Sequence, residues 1–260
     1  GVIGKATLAW NKSEDVMMYV TWSEGFRPGL LNRPVGSTSP DGSYSVKPEV
    51  KSDEVTNYEF GWKAVLQDGA LRFNGSVFMV DISGLQSTIF DPSIVNLFFS
   101  DNAADAEILG AEGDFMYVTG NGLMLSGAFS LLDTEITKSL VPTADVVVGS
   151  DLAFAPGFQG NLGARKEWGM SSGNTGHWQA QFVHSRKSYS DIMAPNKATQ
   201  AQYSYANIRA GISNDSWTAE MYINNITDER AEISNTFVFD RPRVAVIRPT
   251  TFGVRYKLKF

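Results

Sequence analysis

Cysteine is absent from the 260 residues, and histidine occurs only at His177 and His184. The first absence removes disulfide frameworks, thiolate zinc sites and cysteine nucleophiles. Two histidines around one segment make neither a metal site nor a haem clamp. Charge is sparse too: Asp, Glu, Lys and Arg are 19% of the chain, with a net charge of −6. That balance lacks the basic patch of a nucleic-acid binder, so no nucleic-acid partner is expected. No apolar run approaches the roughly 20 residues of a membrane-spanning helix. The G-x-S-x-G, H-E-x-x-H, P-loop and dinucleotide signatures are all missing, so no catalytic residue, metal or cofactor is expected. What remains is 43% hydrophobic and 12% aromatic, too apolar for a disordered chain. The mean hydropathy of −0.16 does not exclude a membrane β-barrel, whose strands hide apolar residues by alternation.

Alternation is what the chain has. Phe252, Val254, Tyr256, Leu258 and Phe260 are apolar, and Thr251, Gly253, Arg255, Lys257 and Lys259 between them are not. A period of two marks a strand with one apolar and one polar face. The same period predicts about eleven strands near residues 1–11, 16–26, 51–66, 70–86, 105–118, 122–136, 155–167, 176–189, 203–213, 216–226 and 249–260. Short connections such as Asp68-Gly69 and Asn121-Gly122 suit tight turns. They alternate with long ones at roughly 27–50, 87–104, 137–154, 190–202 and 227–248. Placing every long loop at one end predicts an all-β, antiparallel transmembrane barrel with short periplasmic turns and long extracellular loops.

The polar faces support this reading. Glu59, Lys63, Arg72, Glu112, Asp114, Arg165, Arg209, Glu220, Arg255 and Lys257 are expected to point inward. So many charges would be costly in a packed core but not in a wide, hydrated lumen. Tyr58, Trp62, Tyr117, Trp178, Trp217, Tyr256 and Phe260 are expected to face outward, as aromatics at membrane interfaces do.

Six segments in order resemble the C-terminal half of a TonB-dependent outer-membrane receptor. They are Tyr19–Gly29 (YVTWSEGFRPG), Glu54–Lys63 (EVTNYEFGWK), Gly110–Gly113 (GAEG), Phe154–Pro156 (FAP), Ile223–Glu229 (INNITDE) and Thr251–Phe260 (TFGVRYKLKF). The resemblance implies the last 11 of 22 strands, without the plug domain, over residues 1–260. It implies TonB-energised uptake of a scarce nutrient such as a ferric siderophore across the bacterial outer membrane. The start at Gly1 reads as a cut. The missing plug and N-terminal half of the barrel, on the same or another chain, are then expected partners, with the TonB complex reached through the plug. A passive porin or a secreted all-β binding protein are the alternatives.

Under that resemblance, Arg27, Asn32, Arg33 and Tyr44, with Lys47, are ligand-binding candidates in the first long loop. Arg241 and Arg243, near Arg248, form a second basic cluster near the last long loop, read as contacting a small-molecule ligand or lipopolysaccharide phosphates, or as charges that simply hydrate the loop. Arg27 has a competing reading as part of a structural network with Glu24 at the barrel rim. The inward charges are expected to hold the plug more than to touch ligand. Val254, Tyr256, Leu258 and Phe260 resemble the assembly signal read by the barrel-assembly machinery, by strand addition to a sheet edge.

Overall fold

A computed structural model describes residues 2–33, 35–141, 145–238 and 241–259, the side chains of residues 237 and 238 excepted. Seventeen strands follow in chain order. They are β1 (Lys5–Asn11), β2 (Val16–Arg27), β3 (Leu30–Leu31), β4 (Glu49–Val50), β5 (Asp53–Leu66), β6 (Leu71–Asp91), β7 (Val95–Val118), β8 (Leu123–Ser139), β9 (Phe158–Gly169), β10 (Thr175–Ser185), β11 (Ser188–Tyr189), β12 (Thr199–Gln200), β13 (Tyr203–Ser213), β14 (Trp217–Asn224), β15 (Glu232–Val238), β16 (Arg241–Val246) and β17 (Thr251–Leu258). Eleven of them form one antiparallel sheet in the order β1-β2-β5-β6-β7-β8-β9-β10-β13-β14-β17. Each neighbour in space is the next wall strand in sequence, the up-and-down order that short hairpins dictate. The remaining six strands pair two by two inside the long loops.

Register decides which side chains share a face. Lys63 pairs with Asn74, Asn74 with Asp114, Asp114 with Ala128 and Ala128 with Asn161. Further along, Arg165 pairs with Gln179, Gln179 with Arg209 and Arg209 with Tyr222. All of these stand on one face. One step along each strand the other face carries Leu8, Val20, Phe60, Val77, Leu131, Leu162, Phe182, Ile208, Met221 and Val254, all exposed. A soluble sheet would bury such a face against a second layer; here none of the described residues covers it.

The wall is closed up locally by rings laid over glycines. Tyr19 on Gly61, Trp62 on Gly75, Phe78 on Gly110, Phe115 on Gly127, His177 on Gly211 and Tyr222 on Gly253 are all direct cross-strand pairs. In each, a Cβ added to the glycine would overlap the ring. The missing side chain gives the ring a bed against the backbone.

One expected loop is strand instead. Residues 87–104 continue the β6–β7 hairpin, which turns only at residues 92–94. Register shifts between Ile82 and Leu85, and again between Ile89 and Asp91, break the strict alternation there. Gly84 takes φ +66° at the first of them, a bulge conformation open to glycine. This raised hairpin anchors the main buried cluster. Tyr44 and Val46 pack with Ile89, Phe99, Ala103, Ala104, Ile136, Val146, Ile192 and Met193. The apolar core thus lies among the long loops and not within the wall.

Candidate functional site at the long-loop end

The β2–β5 ladder ends on the pair Arg27 and Asp53. Asp53 is fully buried. Its carboxylate accepts from Arg27 Nε at 2.7 Å, from the Arg27 backbone N–H at 3.0 Å and from the Gln86 N–H at 3.2 Å. Arg27 Nη2 completes an ion pair with it and also donates to the Gln86 carbonyl at 3.1 Å. Burial pushes the Asp53 carboxyl up, but the donors from Arg27 and Gln86 outweigh it and hold it below the usual carboxylate range. Glu24, by contrast, accepts from the Gly4 N–H at 2.9 Å and is not part of this cluster.

Two further clamps fix the first long loop to the raised hairpin. Asn32 exchanges hydrogen bonds with Ser100, its Nδ2 donating to the Ser100 carbonyl at 2.8 Å and its Oδ1 accepting from the Ser100 N–H at 2.9 Å. The buried Tyr44 hydroxyl donates to Asp101 at 2.7 Å, and Lys47 Nζ lies 3.2 Å from both Asp101 oxygens. Burial, then the bond to Asp101, pushes the Tyr44 phenol up. Arg27, Asn32 and Tyr44 are therefore brought together as loop anchors. Arg33, on the same loop, is exposed, as are Arg241 and Arg243 on β16 and Arg248 beyond it.

Between the raised hairpin, the segments preceding β9 and β13, and β15 opens a cleft of about 450 Å³. Ser87 and Thr88 of β6, Phe154, Ser190, Asp191, Asn196 and Asn235 contribute to its walls. Asp191 accepts from the Met193 N–H at 2.9 Å. Burial pushes its carboxyl up, against the lowering effect of the Met193 and Ile192 N–H groups. None of these residues stands out in the sequence, because they lie in aperiodic loops and meet only in space.

The expected inward charges, Glu59, Lys63, Arg72, Glu112, Asp114, Arg165, Arg209, Glu220 and Arg255, all stand on the polar face. Lys63, Arg72, Glu112, Asp114 and Arg255 are exposed there. Tyr19 donates to Glu59 at 2.5 Å, and Asn74 to Asp114 at 3.1 Å. Arg165 pairs with Glu167 at 2.6 Å. Glu220 is buried, 3.2 Å from His177, 3.6 Å from Arg255 and 4.0 Å from Arg209. Val254, Tyr256 and Leu258 stand on the apolar face of β17; Phe260 lies outside the described residues.

Comparisons with known proteins identify this antiparallel wall. The family model for TonB dependent receptor-like β-barrels matches residues 1–226. The chain belongs to that family. Among curated proteins none matches it. Its fold is that of solved outer-membrane receptors. The ferric yersiniabactin uptake receptor FyuA from Yersinia pestis superposes with a TM-score of 0.77 at 14% identity, over 99% of this chain and 37% of that one. The siderophore receptor PiuA from Acinetobacter baumannii gives 0.70 at 18% identity, over 97% and 35%. The ferric citrate transporter FecA gives 0.73 at 14% identity, over 99% and 38%. The chain thus spans a little over a third of the length of these receptors. Membership makes the sheet a TonB-dependent receptor wall in the bacterial outer membrane, its apolar face toward lipid and its polar face toward the lumen. The family is one of transport receptors and not of enzymes.

Proposed function

We propose that this receptor wall and its loops serve TonB-energised import of a scarce nutrient, with a ferric siderophore as the leading ligand class. The observation that carries the reading is the built loop cap: three clamps tie the first long loop to the raised hairpin, and a cleft of mixed polar and apolar lining opens among the other long loops above a polar-walled face. A plug and further strands complete the lumen, and the inward charges hold that plug. TonB is reached through the plug. Arg33, Arg241 and Arg243, exposed at the same end, meet the anionic ligand through charge-assisted hydrogen bonds. The alternating end of β17 serves the barrel-assembly machinery; deleting Phe260 should lower assembly of the intact receptor more than deleting a loop residue, and equal yields would remove that role.

The test uses a strain whose only receptor of this kind is the intact protein. Labelled ferric chelates, grouped by chemical class, are offered with TonB present or deleted. Accumulation of one class that stops without TonB is the expected result. Accumulation indifferent to TonB would make the protein a passive channel.

A further inference from the structure

Near the long-loop end of β9 and β10 the apolar face is neither smooth nor wholly apolar. Phe115, Phe129, Phe158, Leu162 and Phe182, with His184, line a groove of about 170 Å³ near the long-loop end of β8, β9 and β10. Register confirms the face: Gly127 pairs with Leu162 and Leu162 with Phe182, while Phe129 pairs with Gly160 and Gly160 with His184. The groove exists because Gly160 has no side chain; a Cβ there would press on the Phe158 ring at 3.1 Å. Leu162 and Phe182 are 58% and 47% exposed.

Polar groups cap this groove on its loop side only. His184 Nδ1 and Ser204 Oγ lie 2.7 Å apart, and the Phe158 and His184 ring centroids are 5.9 Å apart. The ladder then runs one step beyond the strand, the Arg186 N–H donating to the Phe158 carbonyl at 2.8 Å. Alternation puts Arg186 on the same face as His184 and Phe182. Arg186 is exposed and makes no ion pair or side-chain hydrogen bond among the described residues. An unpaired guanidinium at the headgroup level above an apolar slot is complementary to one kind of molecule. Acyl methylenes fill the slot by the hydrophobic effect, and a phosphate meets the guanidinium in a bidentate contact.

We propose that this groove is a lipid site on the outside of the barrel, taking the acyl chain of a phosphorylated glycolipid of the outer leaflet, with Arg186 on its phosphate and His184–Ser204 at the headgroup boundary. The site is separate from the nutrient path, because it stands on the opposite face of the wall from the lumen.

The test uses the full receptor, purified in detergent and delipidated. It is titrated with bisphosphorylated lipid A and, separately, with phosphatidylethanolamine, and bound lipid is counted by native mass spectrometry. Lipid A should occupy the receptor at several-fold lower concentration than phosphatidylethanolamine. Arg186→Glu should lower lipid A occupancy about tenfold. Leu162→Trp, which blocks the slot and keeps the charge, should lower it as well. Heat-modifiable gel migration checks that each variant is a folded barrel. Equal occupancy by the two lipids, or unchanged lipid A occupancy in both variants, would overturn the site.

Discussion

At the scale of single residues, the loops are held by a few buried polar groups. Asp53 carries a depressed pKa, so its contribution is fully present above the ordinary carboxylate value near 3.9 and is lost as pH falls through the lower folded value. Acidification below about pH 4 should therefore release residues 28–50 before the wall opens. Hydrogen exchange on the intact receptor measures this; simultaneous release of loop and wall would deny Asp53 its anchoring role. Tyr44→Phe leaves buried Asp101 short of one donor. It should lower the local stability of the loop by on the order of 1–3 kcal/mol, read by the same exchange. Arg243→Ala, at an exposed position, should weaken ligand binding in titration without changing loop exchange. Asn225 shows why a short sequence signature exists at all. Its Nδ2 donates to the Glu229 and Arg248 carbonyls, and its Oδ1 accepts from the Glu229 N–H. The Ile223–Glu229 motif is thus a turn device at the loop base. The sequence named Arg27, Asn32 and Tyr44 by residue type, but their partners Asp53, Ser100 and Asp101 are 26, 68 and 57 positions away. Such distances leave no mark in a local pattern.

At the scale of elements, the alternating strands were legible because one face meets lipid and the other water, which enforces a period of two. The same rule fails where strands leave that two-phase environment. Beyond Ile82 the β6–β7 hairpin rises into the loop cap, both of its faces pack, and bulges shift the register. Alternation then disappears although the strands continue. Six glycines in the wall carry the opposite lesson: they interrupt the pattern yet belong to it, because a neighbouring ring covers the bed each leaves. Gly75→Val would drive a branched side chain into Trp62. An overpacking cost of about 1–3 kcal/mol is expected, seen as a lower unfolding temperature of the folded barrel. An unchanged temperature would mean that the ring has another place to go.

At the scale of the molecule, a single sheet has no second layer to bury its apolar side, and lipid takes that role. Most of the aromatic belt sits at one end: Trp10, Trp62, Trp168, Trp178 and Trp217 all lie within a few residues of the short turns. That placement marks one membrane boundary, and the loop cap lies beyond the other. The cleft was not legible in the sequence, because four long-loop segments build it and none keeps the period of two. The two-faced wall is the claim on which lumen, cleft and lipid groove all depend. Absence of cysteine in this chain makes it directly testable. Single cysteines are placed in turn at Met221, Tyr222, Val254, Arg255 and Tyr256 of the intact receptor in outer membranes, and each is exposed to a water-soluble maleimide. Positions 222 and 255 should react, while 221, 254 and 256 stay protected by lipid. Equal reactivity along both strands would contradict the account.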